Sequence, residues 1–275
     1  GGTYPYTNGE VAVPNMPAIT TTDRSTCTNK SSNNEFVDSV NPHSDNPNCN
    51  YTNTMNGTSS AAPMVSGVIA LMLEANNDLY WKDIKHIVAS TAVKVDSNFS
   101  ADSINGIDYV GWISNQAGFN FHPWYGFGAI DASAAVSEAL AWGTQGKVLP
   151  SSTLSAWNSS AQGSVSLGEG LESTFSLIES GEGIVEHVLV ALAIEHSEPN
   201  HLGFRLESPD GTISTLLTPL TAIGTDFSSS TFIYLPSNAF YGESKLGEWK
   251  LHTYDHLTGN TGSIAQWAIQ FTYRN

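Results

Sequence analysis

Positive charge is what this sequence has least of. Lys and Arg number 10 against 26 Asp and Glu in 275 residues, a net charge of −16. Nucleic-acid binding needs clustered basic side chains, so no nucleic-acid partner is expected. Residues 1–150 carry −7 and residues 151–275 carry −9, so both halves are acidic. We read the acidity first as solubility outside the cell and only second as attraction for basic substrates. Long apolar runs are also lacking. Val65–Leu73 is the longest candidate and falls short of the ~20 residues a membrane helix needs, so no membrane span is expected. The start shows neither the basic stretch nor the apolar core of a signal peptide. Gly1-Gly2-Thr3, without a Met, reads as the cut end of a longer protein. The two cysteines, Cys27 and Cys49, are too few to fix a redox compartment. They read as a disulfide closing a loop of about 20 residues, worth ~3 kcal/mol, with free thiols as the alternative. Apolar residues nevertheless make up 40% and charged ones 13%, which excludes a disordered chain.

Residues 1–55 read as strands and loops, with β-branched runs at Val11–Val13 and Ala18–Thr22. From Ser59 to Asn76 the pattern becomes a helix that is apolar nearly all round, which predicts burial on most sides. Trp81–Ala92 predicts a second helix. Residues 96–128 read as loop, and Asp131–Trp142 as a third helix capped by Asp131. Residues 147–162 form the expected linker between a region at 1–146 and a region at 163–275. In the latter the period becomes two. Val188, Val190, Leu192 and Ile194 alternate, as do Leu202, Phe204 and Leu206, then Ile213, Thr215 and Leu217. Pro209-Asp210-Gly211 marks a hairpin turn. Short alternating strands with regular turns predict a β-sandwich.

Chemistry concentrates at Asn56-Gly57-Thr58-Ser59-Ser60-Ala61-Ala62-Pro63. A Ser there stands between a glycine turn and an apolar helix. The first helical turn has unpaired N–H groups and the positive end of the dipole. Such a Ser can attack a carbonyl while its own N–H holds the resulting oxyanion, with Thr58 adding hydroxyl support. Pro63 is expected in the first turn, where a missing N–H costs little. A simple helix cap is the plainer alternative.

This segment resembles the nucleophile motif of the subtilisin/kexin serine proteases. Glu74-Ala75-Asn76 with Trp81–Ile84, Trp112–Gly118, and Tyr125–Ala132 resemble further elements of that family in order and spacing. His196, Ser208–Thr212, Gly247-Glu248-Trp249 and Asp255…Gly262…Trp267 resemble the P domain that follows the catalytic domain in kexin-like enzymes. The resemblance implies the C-terminal portion of an α/β subtilisin-like domain, a mostly parallel sheet with helices. An all-β, jelly-roll-like P-domain sandwich follows. It implies a secreted or periplasmic serine endopeptidase acting on protein or peptide substrates, after basic residues in kexin relatives. It also implies calcium, although no ligands are assigned and Pro199-Asn200-His201 departs from the P-domain pattern.

In that family the order is Asp, His, Ser, and only 58 residues precede Ser59. The sole upstream imidazole, His43, lacks the family's setting and reads as a loop residue. His86, His122, His187, His196, His201, His252 and His256 read as structural or solvated. The Asp, the His and the oxyanion Asn are therefore expected from an N-terminal part of the same protease, and this chain alone is expected to be inactive. Two alternatives are a degenerate homologue and a non-catalytic β-sandwich binding module presenting Trp249, Trp267, Tyr254 and Tyr273. Solvent-facing aromatics would favour the module. Asn29, Asn50, Asn56, Asn98 and Asn158 begin glycosylation triplets, which arise freely in so Asn-rich a chain.

Overall fold

The computed structural model describes residues 19–28, 42–55, 57–99, 101–104, 106–160, 164–168, 170–221, 227–259 and 261–275. The chain divides into two compact units, residues 1–77 and 78–275. The predicted strand at Val11–Val13 lies outside the described residues.

In the first unit, β1 (Ile19–Thr22) pairs antiparallel with β2 (Tyr51–Met55). Cys27 and Cys49 form the expected disulfide at the loop end of this hairpin. Asp23 N–H donates to Asn50 O and Thr26 N–H to Asn48 O beside it. Asn46, 2% exposed, bonds both the N–H and the C=O of Tyr51, fixing the chain's entry into β2. After Met55 the chain passes into α1 (Thr58–Ala75), which ends where Asn76 caps it through its N–H to Met72 O.

Burial of α1 corrects the sequence expectation. Only Ser60 and Met72 are buried, while Met64, Leu71 and Leu73 are 59%, 50% and 37% exposed. The described remainder of this unit offers two strands of four and five residues, too little surface to cover an 18-residue helix. By length and composition alone α1 is also apolar enough to cross a membrane, though at ~1.5 Å per residue it is only about 27 Å long. Pro63 sits past the first turn, inside the helix. It therefore removes the N–H that would bond the Ser59 carbonyl.

The second unit begins with α2 (Trp81–Thr91). Asp83, 1% exposed, accepts from Tyr80 N–H at the helix start and from Leu149 N–H. The expected loop at 96–128 contains two small hairpins, β3 (Asp102–Ile104) with β4 (Ile107–Val110) and β5 (Ile113–Ser114) with β6 (Asn120–Phe121). Next comes α3 (Ala132–Thr144), capped as predicted by the Asp131 carboxylate accepting from Ala134 N–H at 2.9 Å.

Ten strands follow: β7 (Ser152–Leu154), β8 (Asn158–Ser159), β9 (Val165–Leu167), β10 (Glu172–Glu179), β11 (Ile184–His196), β12 (Leu202–Glu207), β13 (Ile213–Leu217), β14 (Phe227–Ser237), β15 (Gly247–Asp255) and β16 (Gly262–Arg274). One sheet has the order β10-β15-β12-β13. The other runs β14-β11-β16-β7, with β8 and β9 also on β16. Thus β7 and β8, inside the expected linker at 147–162, are strands of the larger sheet. Every strand pair among the described residues is antiparallel. The expected mostly parallel sheet is therefore not formed by them.

The two sheets share one core. Val188, Val190, Leu192 and Ile194 of β11 meet Leu202, Phe204 and Leu206 of β12, all fully buried, as the alternation predicted. Trp249 and Trp267 belong to the same core at 0% and 1% exposure, and Trp249 Nε1–H donates to Lys245 O. On β13 the prediction fails at Ile213, which is 39% exposed while Ser214 is 2% exposed. A bulge at Leu216 sets Leu217 opposite Phe204 but Thr215 opposite Arg205. One extra residue exchanges the faces.

Within this unit the turn at 115–119 is stapled to loops that join the sheet strands. Buried Asn115 donates through Nδ2 to Ala239 O and Tyr241 O and accepts from Phe119 N–H. Gln116 N–H and Thr212 Oγ1–H both donate to Oε1 of Glu243, a carboxylate only 2% exposed. From α2, Lys85 Nζ reaches Glu186 O at 2.7 Å and Asn238 Oδ1 at 2.9 Å.

Candidate active site

The geometry around Ser59 follows from its neighbours. Gly57 is the N-cap residue of α1 at φ +92°, a conformation that strains any residue with a Cβ. Its carbonyl accepts from Ser60 N–H and Ala61 N–H, both at 3.2 Å, and from Ser60 Oγ–H at 2.8 Å. Ser60, for which the sequence suggested no role, thus turns inward, 5% exposed. Ser59 is left on the outside of the same turn, exposed. No side chain caps the helix. Among the described residues, nothing hydrogen-bonds the Ser59 hydroxyl or its N–H. An unengaged hydroxyl at the positive end of a helix, beside free N–H groups, can attack a carbonyl and receive the developing oxyanion. Thr58, exposed on the same turn, is the expected hydroxyl support.

No activating base accompanies it in the first unit, where His43 is the one imidazole. His43 is occupied by its own loop. Its Nδ1 accepts from Asp45 N–H at 3.2 Å, and its carbonyl accepts from Asn46 N–H.

The imidazoles of the second unit have structural partners. His196 Nδ1 accepts from Glu198 N–H, so its Nε2–H faces Asp255 Oδ2 at 3.1 Å, both side chains fully buried. His256 meets the Tyr109 hydroxyl at 2.6 Å. Burial holds the pKa of His256 below the ordinary imidazole value despite the Asp255 charge. Burial likewise depresses His122, which stacks on Tyr125. It depresses His86, aided by the Arg274 charge, and His187, aided by Lys85. His252 lies between Glu172 and Glu207 at 3.4 and 2.8 Å. Among the described residues no group of three or more His, Cys, Asp or Glu side chains is placed to hold a metal ion.

Known proteins match this arrangement. Residues 2–128, which include Ser59, match the model of the subtilase family, and residues 185–271 match that of the proprotein convertase P-domain. An extracellular serine protease of Aeromonas sobria is 31% identical over 292 residues, covering 92% of this chain and 44% of its own length. Proprotein convertase subtilisin/kexin type 5 of Rattus norvegicus is 33% identical over 229 residues, covering 79% of this chain and 12% of its own length. The crystal structure of the serine protease of Aeromonas sobria superposes with a TM-score of 0.81 at 24% identity. That match covers 94% of this chain and 51% of that one, and shows a common fold. The chain therefore spans less than half of either curated relative and about half of the solved structure. With a subtilase region around Ser59 and a P-domain after it, this chain belongs to the subtilisin/kexin-like serine protease family.

Proposed function

We propose that this chain supplies the nucleophile of a secreted serine endopeptidase. The observation that carries the reading is Ser59, exposed and unengaged on the first turn of α1 within the region that matches the subtilase family. Ser59 Oγ attacks the scissile carbonyl carbon as a base takes its proton. The amine leaves with a proton returned by that base, and water then hydrolyses the acyl-ester. Thr58 and the Ser59 N–H belong to the oxyanion site. The His base, its Asp and the oxyanion Asn come from an N-terminal part of the same protease. That part also supplies the parallel strands and covers the exposed apolar side chains of α1, making it a core helix rather than a membrane span.

The two sheets of the second unit serve as a jelly-roll-like P-domain sandwich, and the Asn115 and Glu243 staples support a bracing role for it. Substrates are proteins, with cleavage after basic residues as the family resemblance suggests. The disulfide, and the word extracellular in the name of the Aeromonas relative, support a secretory route.

The test is labelling with a fluorophosphonate probe. The chain alone is expected to stay unlabelled, because a hydroxyl without a base is a weak nucleophile. Together with the upstream segment it is expected to label, and Ser59→Ala is expected to abolish the signal. Strong labelling of the isolated chain would overturn the reading.

A further inference from the structure

Trp249 and Trp267, which the binding-module alternative would present to solvent, are core, as their alternating positions favoured. A different set is solvent-facing. On β14, Phe232 and Tyr234 are 55% and 59% exposed, and Trp157, ahead of β8, is 41% exposed. The register places them on one face, the outer side of the larger sheet. Phe232 stands opposite Ala193, which pairs with Gln266. Tyr234 stands opposite Ala191, which pairs with Ala268, and Ala268 pairs with Ser159. Pro236 stands opposite Leu189, which pairs with Gln270. The alanines form a low floor in the middle row, and the Trp157 ring reaches Tyr234 at 6.2 Å between centroids, tilted by 57°.

We propose that this face is a binding site for a neutral saccharide, acting independently of Ser59. Three arguments select that occupant. The residues of the three rows, with Trp157, are all uncharged, in a chain of net charge −16. The rows thus offer a charged ligand no ion-pair partner, and the net charge further repels anions. The polar groups at the rings are of the kind that bind hydroxyls. Gln266 and Gln270 are held by their Nε2–H bonds to Ser160 O and Ser155 O, which fixes each amide plane and leaves its oxygen to accept. Tyr234 Oη and Trp157 Nε1 have no partner among the described residues. The area is small. About half of each ring is exposed, so three aromatic side chains of ~150–250 Å² present about 300 Å². A stable protein partner buries ~800 Å² on each side. A patch of this size matches one or two sugar rings, whose C–H faces pack on aromatics while their hydroxyls reach the amides. A second copy adding to the sheet edge is further opposed by Pro236 on edge strand β14, which has no N–H to offer.

The experiment titrates the full chain with chitohexaose, cellohexaose and maltohexaose to millimolar concentration, read by calorimetry and tryptophan fluorescence. At least one is expected to bind. Trp157→Ala and Tyr234→Ala are each expected to weaken it about tenfold or more. Ile178→Ala, exposed on the other sheet, and Ser59→Ala are expected to leave it unchanged. Unchanged melting of the ring variants shows that they fold. Absence of binding by all three sugars, or binding that both ring variants retain, overturns the proposal. So does a dimer in sedimentation, or adsorption to phosphatidylcholine vesicles, that the ring variants abolish, since the face would then serve a second copy or a lipid surface.

Discussion

The two compact units of this chain solve the burial problem differently. Residues 78–275 close a core between two sheets, with long β11 and β16 lying side by side along its centre. Residues 1–77 keep a long apolar helix with two buried residues, steadied at one end by a disulfide hairpin. The second unit has the means to fold alone, because each of its sheets buries the other's apolar face. In the first, the described residues leave most of the apolar surface of α1 uncovered.

The contrast can be broken at its strongest point first. Trp249→Ala is expected to cost the second unit about 3–5 kcal/mol, since it empties the largest buried site and orphans Lys245 O. Calorimetry should show that transition move while any signal from the first unit stays; joint movement would mean that the units are one cooperative block. The converse perturbation is removal of the disulfide by Cys27→Ser with Cys49→Ser. It is expected to cost about 2–3 kcal/mol and to act on the first unit alone, as read by proteolysis within residues 19–55.

Acid is expected to act more gently, and on the second unit. Burial keeps His86, His122, His187 and His256 below the ordinary imidazole value. The unfolded chain therefore binds protons first as pH falls below about 6.5. Stability is present above that pH and is lost progressively below it. Further down, Glu179 adds to the loss. Burial raises its pKa, but the Lys245 ammonium with Asn158 and Gly181 more than offsets this and holds it low. Its contribution is present above the ordinary carboxylate range and disappears as pH falls through the folded value. Melting temperatures between pH 7.5 and 4 check this, and a flat profile would contradict it. The smallest effect is expected for Leu71→Ser, within about 0.5 kcal/mol in this chain because the side chain is half exposed. With the upstream segment bound, the same change should cost several times more. Equal costs in both states would remove the case for a covering segment.

Much of the second unit was legible in the sequence. Period-two alternation marked the inward faces of β11 and β12, because an antiparallel strand with one buried face must alternate. Asp131 was legible as a cap because a carboxylate at that position satisfies an N–H locally. Around Ser59, the Gly-Thr-Ser step ahead of an apolar run announced an exposed hydroxyl on a first helical turn. Less was legible where distant pairing decides. The linker's short strands carry too few residues to show a period, and they exist because β16 offers them an edge. The face of Ile213 depended on a bulge at Leu216 that only the pairing of β13 with β12 reveals, and Phe232 and Tyr234 were not picked out from the alternation of β14.

By itself, then, the sequence determined local conformation and family: where helices begin, which residues alternate, and which serine stands at the turn. These depend on φ/ψ preferences and on hydrogen bonds a few residues long. Only the tertiary structure decided which apolar residues are covered. It left α1 open, sent Trp249 and Trp267 inside, and set Trp157 beside Tyr234 on the surface. Burial is a property of what packs above a side chain, and that layer comes from elsewhere in the chain.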